Sequence, residues 1–372
     1  MKILVYGLSN NIGGVETIVL SIISRLLDRC SFDILISGQC AYKQFYQGPK
    51  IRFLDITSWG SNPSIFSKEL ADILNSENYE YVWINGCIMA NKTIISTIKK
   101  NSNCKIITHS HGTSFEETNF FKSLILKSLH YINRNYYLKN IDIPCSCSLK
   151  SAKWYYGAKY SSKKKIYIVN NGVDIDKFSF NSDVRDKLRQ EYGVGDAFLL
   201  FHAGRLTAVK NQKKILDITK ELLKRGINVK LWIAGEGELE SDLRSYADFL
   251  GVSSHVSFLG FRKDIYSLCQ AADAFILPSF HEGLPVTVIE AQASGLSCFL
   301  SDTITKEADV SGLVHFISLD CSSMDWASEI LNQPVIKNRL SAVDLIKEHR
   351  YDIQSIADDF YHLINQNNES YS

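Results

Sequence analysis

Glu282 and Glu290 stand with seven residues between them in Ser279-Phe-His-Glu-Gly-Leu-Pro-Val-Thr-Val-Ile-Glu-Ala-Gln-Ala-Ser294. The apolar residues just before, Ala274-Phe-Ile-Leu-Pro278, read as a short buried strand. Pro285 suits the first turn of a helix, where its missing N–H costs nothing. Glu282 is therefore expected in a strand-to-helix loop and Glu290 on the helix that follows. Carboxylates accept hydrogen bonds from hydroxyl groups, and the free amides of a helix start favour an anion. Beside the carboxyl end of a strand, where open α/β sheets bind ligands, the pattern fits a molecule carrying both phosphate and sugar. The plainer reading is a surface helix with two solvated glutamates; Gly283 and Pro285, which shape the loop, weigh against it.

A counter-charge is available. Ala203-Gly-Arg-Leu-Thr-Ala-Val-Lys-Asn211 follows another strand-like run, with Arg205 and Lys210 five apart. A forked guanidinium and a point-charge ammonium at a helix start suit a diphosphate, although two solvated loop cations would look the same. Gly13 and Gly14 follow the first strand, where paired glycines let a backbone approach a ligand and leave amides free. Ala234-Gly235-Glu236-Gly237 repeats the theme, with a tight turn as the alternative. Thr108-His109-Ser-His111-Gly112 places two histidines at a strand end, each of them a structural or a functional candidate.

These residues need a scaffold, and the chain supplies a repeating one. Strand-like runs at Lys2–Tyr6, Phe32–Ile36, Tyr81–Ile84, Lys105–Thr108 and Ile166–Val169 alternate with helical patterns such as Val15–Leu27. After the turn signal Asn170-Asn-Gly-Val-Asp174, a second series runs through Phe198–His202, Val229–Ala234, Val256–Leu259, Ala274–Leu277 and Cys298–Leu300. Alternation of this kind predicts two α/β domains with parallel sheets and a boundary near 175–195. The expected division is 1–180, 181–350 and a C-terminal helix over 351–372, for which the first domain is the candidate docking partner. A chain of 372 residues is long enough for two cores.

Composition removes several classes. A formal charge of +1 gives no field to attract nucleic acid. No apolar run approaches the ~20 residues of a membrane span, and the apolar start Met1–Gly7 is too short for a signal peptide. Nine cysteines lack Cys-x-x-Cys spacing, which points to reduced thiols in a cytosol. The glycine pattern is not the Gly-x-Gly-x-x-Gly of a dinucleotide-binding dehydrogenase.

Taken together, Gly13-Gly14-Val-Glu16, Asn171-Gly-Val-Asp174, Gly204-Arg205 with Lys210-Asn211, Gly235-Glu-Gly237 and His281-Glu282-Gly-Leu-Pro285 ending in Glu290-Ala291 resemble the family 4 retaining glycosyltransferases. The likeness extends to the branch that builds bacterial capsule, exopolysaccharide or O-antigen. It implies the GT-B architecture, two Rossmann-like domains facing across a cleft. It also implies roles. Arg205 and Lys210 would hold the donor's diphosphate, Glu290 the ribose hydroxyls, and Glu282 with the loop Gly283, Leu284, Pro285 and Val286 the donor sugar. Gly13 and Gly14 would approach the phosphates from the other domain, and the base would lie near Gly235, Glu236, Gly237, Phe261 and Arg262. His111, with His109 as rival, would contact the donor sugar. No metal or other cofactor is implied, in keeping with the expectation that the chain carries no Asp-x-Asp motif. The expected reaction moves a hexose or N-acetylhexosamine from a nucleotide sugar, with UDP the expected carrier, to a glycan acceptor on a polyprenyl diphosphate. A nucleotide-sugar-binding protein without turnover, or an epimerising or hydrolysing relative, remains the alternative. Basic and aromatic residues in Phe120–Arg134, Lys150–Tyr156 and Lys163–Lys165 suggest peripheral contact with anionic lipid on the inner face of the cytoplasmic membrane, or else a solvated amphipathic helix.

Overall fold

Runs of β-branched and aromatic residues buried on both faces are what parallel strands covered by helices require. The chain has thirteen parallel strands among the described residues, and the central ones are such runs. The computed structural model describes residues 1–11, 13–46, 48–112, 120–333 and 338–369. It forms two units by backbone contact, one of Met1–Asn171 with the segment from Ile353 on, the other of Gly172–Asp352. Residues 172–180 thus belong with the second unit.

In the first unit the strands are β1 (Lys2–Tyr6), β2 (Ser31–Ile36), β3 (Ile51–Asp55), β4 (Tyr81–Gly86), β5 (Lys105–Ser110), β6 (Ile143–Ser146) and β7 (Tyr167–Ile168). They form one parallel sheet in the order β3-β2-β1-β4-β5-β6-β7. The second unit holds β8 (Phe198–Ala203), β9 (Val229–Ala234), β10 (Val256–Gly260), β11 (Ala274–Leu277), β12 (Ser297–Ser301) and β13 (Val314–Ile317), in the order β10-β9-β8-β11-β12-β13. Each sheet reverses its direction of growth once, between β1 and β4 in the first unit and between β8 and β11 in the second. Loops at such a reversal part to opposite faces and leave a crevice at the carboxyl ends of the strands. The loops that carry the candidate residues are those that leave β1, β5, β8, β9, β10 and β11.

Three strands lack a clear sequence signal. β6 contains Pro144, which argues against a central strand, yet it lies between β5 and β7 with Pro144 opposite Thr108. β3 and β13 are edge strands of five and four residues. Helices cover both sheets, and the cores are aromatic-rich: Trp83, Tyr137, Tyr155 and Tyr156 in the first unit, Phe201, Trp232 and Phe275 in the second. The C-terminal helix Ile353–Glu369 packs on the first unit. Tyr81 Oη donates to Ile364 O at 2.6 Å, and Phe360 lies 4.5 Å from Trp83 between ring centres.

Candidate active site

On the second unit the loops after β8 and β11 are joined into one surface. Asn211 adopts a left-handed conformation (φ 54°) at the junction of a 3₁₀ turn, Ala208–Lys210, and the helix Gln212–Lys224. From there its Nδ2 donates to Pro278 O at 3.1 Å, and Phe280 N donates to Val209 O at 2.8 Å. Gln212 Nε2 donates to Arg205 O at 2.8 Å and secures the other end of the β8 loop. The result places Lys210 against Glu282: Nζ donates to Oε1 at 2.6 Å, with both side chains largely buried. Arg205 is exposed on the same edge.

Glu290 is the fifth residue of the helix Val286–Ala293. Pro285 is its N-cap with ψ 109°, one position before the first turn in which the sequence reading set it. The proline ring fixes only φ, here −74°; it is ψ that keeps the residue in extended backbone ahead of the helix. Glu290 is half-buried and has no side-chain hydrogen bond or ion pair among the described residues. Desolvation pushes its carboxyl up to about 7. Gly283 is exposed, Leu284 and Val286 half-buried and Pro285 buried, lining the path from Glu282 to the helix.

The loops after β9 and β10 run alongside. Gly235 N donates to Gly260 O at 2.8 Å, so Gly235–Gly237 and Phe261–Arg262 are neighbours. Gly235 has φ +137°, and a Cβ there would lie 2.0 Å from Gly204 O; one on Gly237 would lie 2.4 Å from Leu206 O. Both glycines are therefore required by close packing on the β8 loop. Glu236 is exposed and its carbonyl accepts from Leu206 N. Phe261 presents an exposed ring. The Arg262 guanidinium is committed elsewhere: it holds Asp264 through Nε at 2.8 Å and Nη2 at 2.5 Å, and donates to Tyr192 Oη at 2.8 Å.

In the first unit the loop from Gly7 to the helix Gly14–Arg25 closes on Glu16. This buried carboxylate accepts from Ser9 N at 2.7 Å and Gly13 N at 3.0 Å. The expectation of two free glycine amides is corrected here: a glutamate at the third helical position folds back to cap its own helix and takes the Gly13 N–H. Gly14 faces open space, with nothing within 4 Å of a Cβ built on it. Ile12 of this loop lies outside the described residues. His109 belongs to β5 and is fully buried, with the Val169 backbone beside its ring. Burial pulls it down to about 3. His111, just past the strand, is half-buried and its Nε2 lies 2.9 Å from Asn85 Oδ1. Burial and the adjacent His109 hold it well below the ordinary histidine value.

Sequence reading missed Asn85 and Gln212, and it named Glu16 and Asn211 within motifs without giving them a role. Asn85 had a signal, an Asn-Gly pair ending a strand, but its partner is 26 residues away. The sequence also holds an Asp-x-Asp spacing, Asp174-Ile175-Asp176, passed over in that reading. Asp174 caps the helix Ile175–Phe178 and pairs with Lys177 Nζ at 2.9 Å. Among the described residues no three His, Cys, Asp or Glu side chains are grouped to hold a metal ion.

Two reversing parallel sheets, each with its candidate residues on the carboxyl edge, define the GT-B class of glycosyltransferase fold. Solved structures of that fold superpose on nearly the whole chain. HepE of Anabaena, solved with UDP, matches with a TM-score of 0.79 at 19% identity over 98% of this chain and 100% of that one. WaaG, a glycosyltransferase involved in lipopolysaccharide biosynthesis, matches at 0.71 and 14% identity over 98% and 99%. The family model of glycosyl transferases group 1 matches residues 184–312. EpsF of Bacillus subtilis (strain 168), named as a glycosyltransferase, is 30% identical over 327 residues, 86% of this chain and 84% of EpsF. The UDP-Gal:alpha-D-GlcNAc-diphosphoundecaprenol alpha-1,3-galactosyltransferase of Escherichia coli is 32% identical over 147 residues, 38% of each chain. The chain belongs to the glycosyltransferases and is a glycosyltransferase enzyme.

Proposed function

We propose that this glycosyltransferase is a retaining, metal-independent enzyme of the family 4 type. It takes a hexose or N-acetylhexosamine from a UDP-sugar and adds it to a glycan on a polyprenyl diphosphate, in the synthesis of a bacterial capsule, exopolysaccharide or O-antigen. The observation that carries this reading is the second unit's carboxyl edge, where Lys210 meets Glu282, Arg205 is exposed, and the helix after Glu282 carries Glu290, a carboxylate without a partner among the described residues.

The physical logic is charge placement. Breaking a sugar–diphosphate bond develops negative charge on the leaving group, and cations fixed beforehand lower that barrier. Lys210 donates one N–H to Glu282 and has others to offer an arriving phosphate. Arg205 supplies a second, forked donor. Glu282 and the loop 283–286 meet the sugar, while Glu290 accepts from ribose hydroxyls. The exposed Phe261 ring, beside Gly235–Gly237, offers a face to the base, while Arg262 serves that loop through Asp264. In the first unit His111 offers an acceptor to a sugar hydroxyl, and the Gly14 amide a donor to a phosphate oxygen. The names of the relatives support a UDP-linked donor and an acceptor on undecaprenyl diphosphate.

The helix Phe120–Asn140 supports an acceptor presented at a membrane. Phe121, Leu124, Ile125, Tyr131 and Ile132 are exposed, with Phe121 at 75% and Ile132 at 73%. Lys122 and Lys127 are exposed on the same helix. Asn133 and Tyr137 anchor its far half to Met89–Asn91. No helix among the described residues is long and apolar enough to cross a membrane. We assign the exposed stretch to contact with anionic lipid at the inner face of the cytoplasmic membrane.

Calorimetric titration with UDP, GDP and ADP in excess EDTA tests the donor site. UDP binding that survives EDTA, disappears in Glu290→Ala and weakens in Lys210→Ala is the expected result. Binding restored only by added divalent metal, or binding indifferent to Glu290, would overturn the reading. Turnover with and without a lipid-linked acceptor, and the anomeric configuration of the product by NMR, then test transfer and retention.

A further inference from the structure

Asn85 is a buried residue of β4, and its position is set by β1. Gly7 follows β1 with φ +97°, and a Cβ there would lie 1.8 Å from Asn85 O, so the two backbones meet closely where the sheet reverses. The Asn85 Nδ2 faces the carbonyl oxygens of Tyr6 and Trp83, each at 3.5 Å. Its Oδ1 faces His111 Nε2 at 2.9 Å. The opposite amide rotamer would set an oxygen against two carbonyl oxygens, so the end presented to the imidazole is the acceptor. Nε2 must then carry a proton. A neutral imidazole has only one N–H, which leaves Nδ1 as a bare acceptor. Nδ1 has no protein partner among the described residues. The ring is kept neutral by burial and by His109, the titratable group that faces it at 4.0 Å between ring centres.

We propose that Asn85 is a positioning residue: it fixes His111 as the Nε2–H tautomer, so that Nδ1 accepts a hydrogen bond from a hydroxyl of the transferred sugar. This rests on the reading of His111 given above. The consequence is selectivity by polarity. A sugar with a hydroxyl donor at that position is accepted, and one with only an acceptor there meets a lone pair.

The tautomer is directly measurable. Long-range ¹⁵N–¹H correlation spectra of the full-length protein, labelled in histidine and assigned by His111→Gln, are expected to show His111 neutral and protonated on Nε2 from pH 6.5 to 8. A proton on Nδ1 would overturn the proposal. Turnover with the UDP-sugar found in the donor screen gives the second readout. Asn85→Leu is expected to lower kcat about tenfold, the scale of one hydrogen bond, with the KM for donor nearly unchanged. Combined with His111→Ala it should add nothing, because the two residues act as one unit. Asn85→Asp keeps an acceptor for Nε2–H but adds a charge that favours the imidazolium. It should restore activity at high pH and move the acid limb of the pH profile upward, a change that a purely structural role would not produce. Additive effects, or an Asn85→Asp profile superposable on wild type, would sink the role of Asn85. Full activity in His111→Ala would instead remove His111 from the site, which separates the two failures.

Discussion

Glu290 lets nucleotide binding be read as a proton count. Its carboxyl sits at about 7, against an ordinary 4.5, because burial disfavours the charge. That gap corresponds to about 3 kcal/mol, at about 1.4 kcal/mol per pH unit. Hydrogen bonds from ribose hydroxyls favour the ionised form, so binding returns the carboxyl toward its ordinary value and releases a proton below pH 7. Affinity should therefore rise with pH, by nearly tenfold per unit below 7, and level off above it. Between pH 5.5 and 7.5 the contribution is about twentyfold if the bound carboxyl falls all the way to its ordinary value. The assay is calorimetry with UDP in buffers of differing ionisation enthalpy, on wild type and Glu290→Gln. The terminal phosphate of UDP also titrates, near pH 6. Only the ratio of the two affinities isolates Glu290. A ratio that stays constant from pH 5.5 to 7.5, with heats independent of buffer, would refute the reasoning.

The same residue has a stability signature. A carboxyl raised in the folded state costs nothing below its unfolded value and destabilises progressively as pH rises from 4.5 to 7. Glu290→Gln should accordingly melt higher than wild type at pH 8, with the difference vanishing near pH 4.5. Lys210→Ala should cut turnover about 100-fold, the scale of losing one group that stabilises developing charge; activity within tenfold of wild type would remove Lys210 from the mechanism. Gly235→Ala should destabilise by about 2 kcal/mol or more in chemical denaturation, because its φ of +137° and the Gly204 carbonyl both oppose a side chain. Co-sedimentation with anionic vesicles at low salt should be lost in Ile125→Glu/Ile132→Glu, whose side chains are exposed; equal binding by wild type and variant would end the membrane assignment.

Periodicity alone made the fold class and most strands legible. Period-2 and period-3.6 patterns are local, and a strand buried on both faces writes itself as an apolar run such as Phe198–Ala203 or Ala274–Leu277. The strands it missed are those where burial is partial, as in β3 and β13, or where Pro144 conceals a central position. Within the candidate site, residue types and their places on loops could be read, because strand-to-helix loops carry their own glycine and proline signals. Glu282, Glu290, Arg205 and Lys210 were found in this way.

What the chain could not announce are relations between residues far apart in sequence. Tertiary structure decided that Lys210 pairs with Glu282 across 72 positions and that Glu290 has no partner among the described residues. It also decided that Asn85 rather than solvent meets His111. The spacing between strands dictates such encounters, and each depends on ångström-scale distances set by packing against the whole sheet. Sequence determines which groups are present and on which edge they stand. Protonation, tautomer and free valence come from what surrounds each group, and only the folded chain supplies those surroundings.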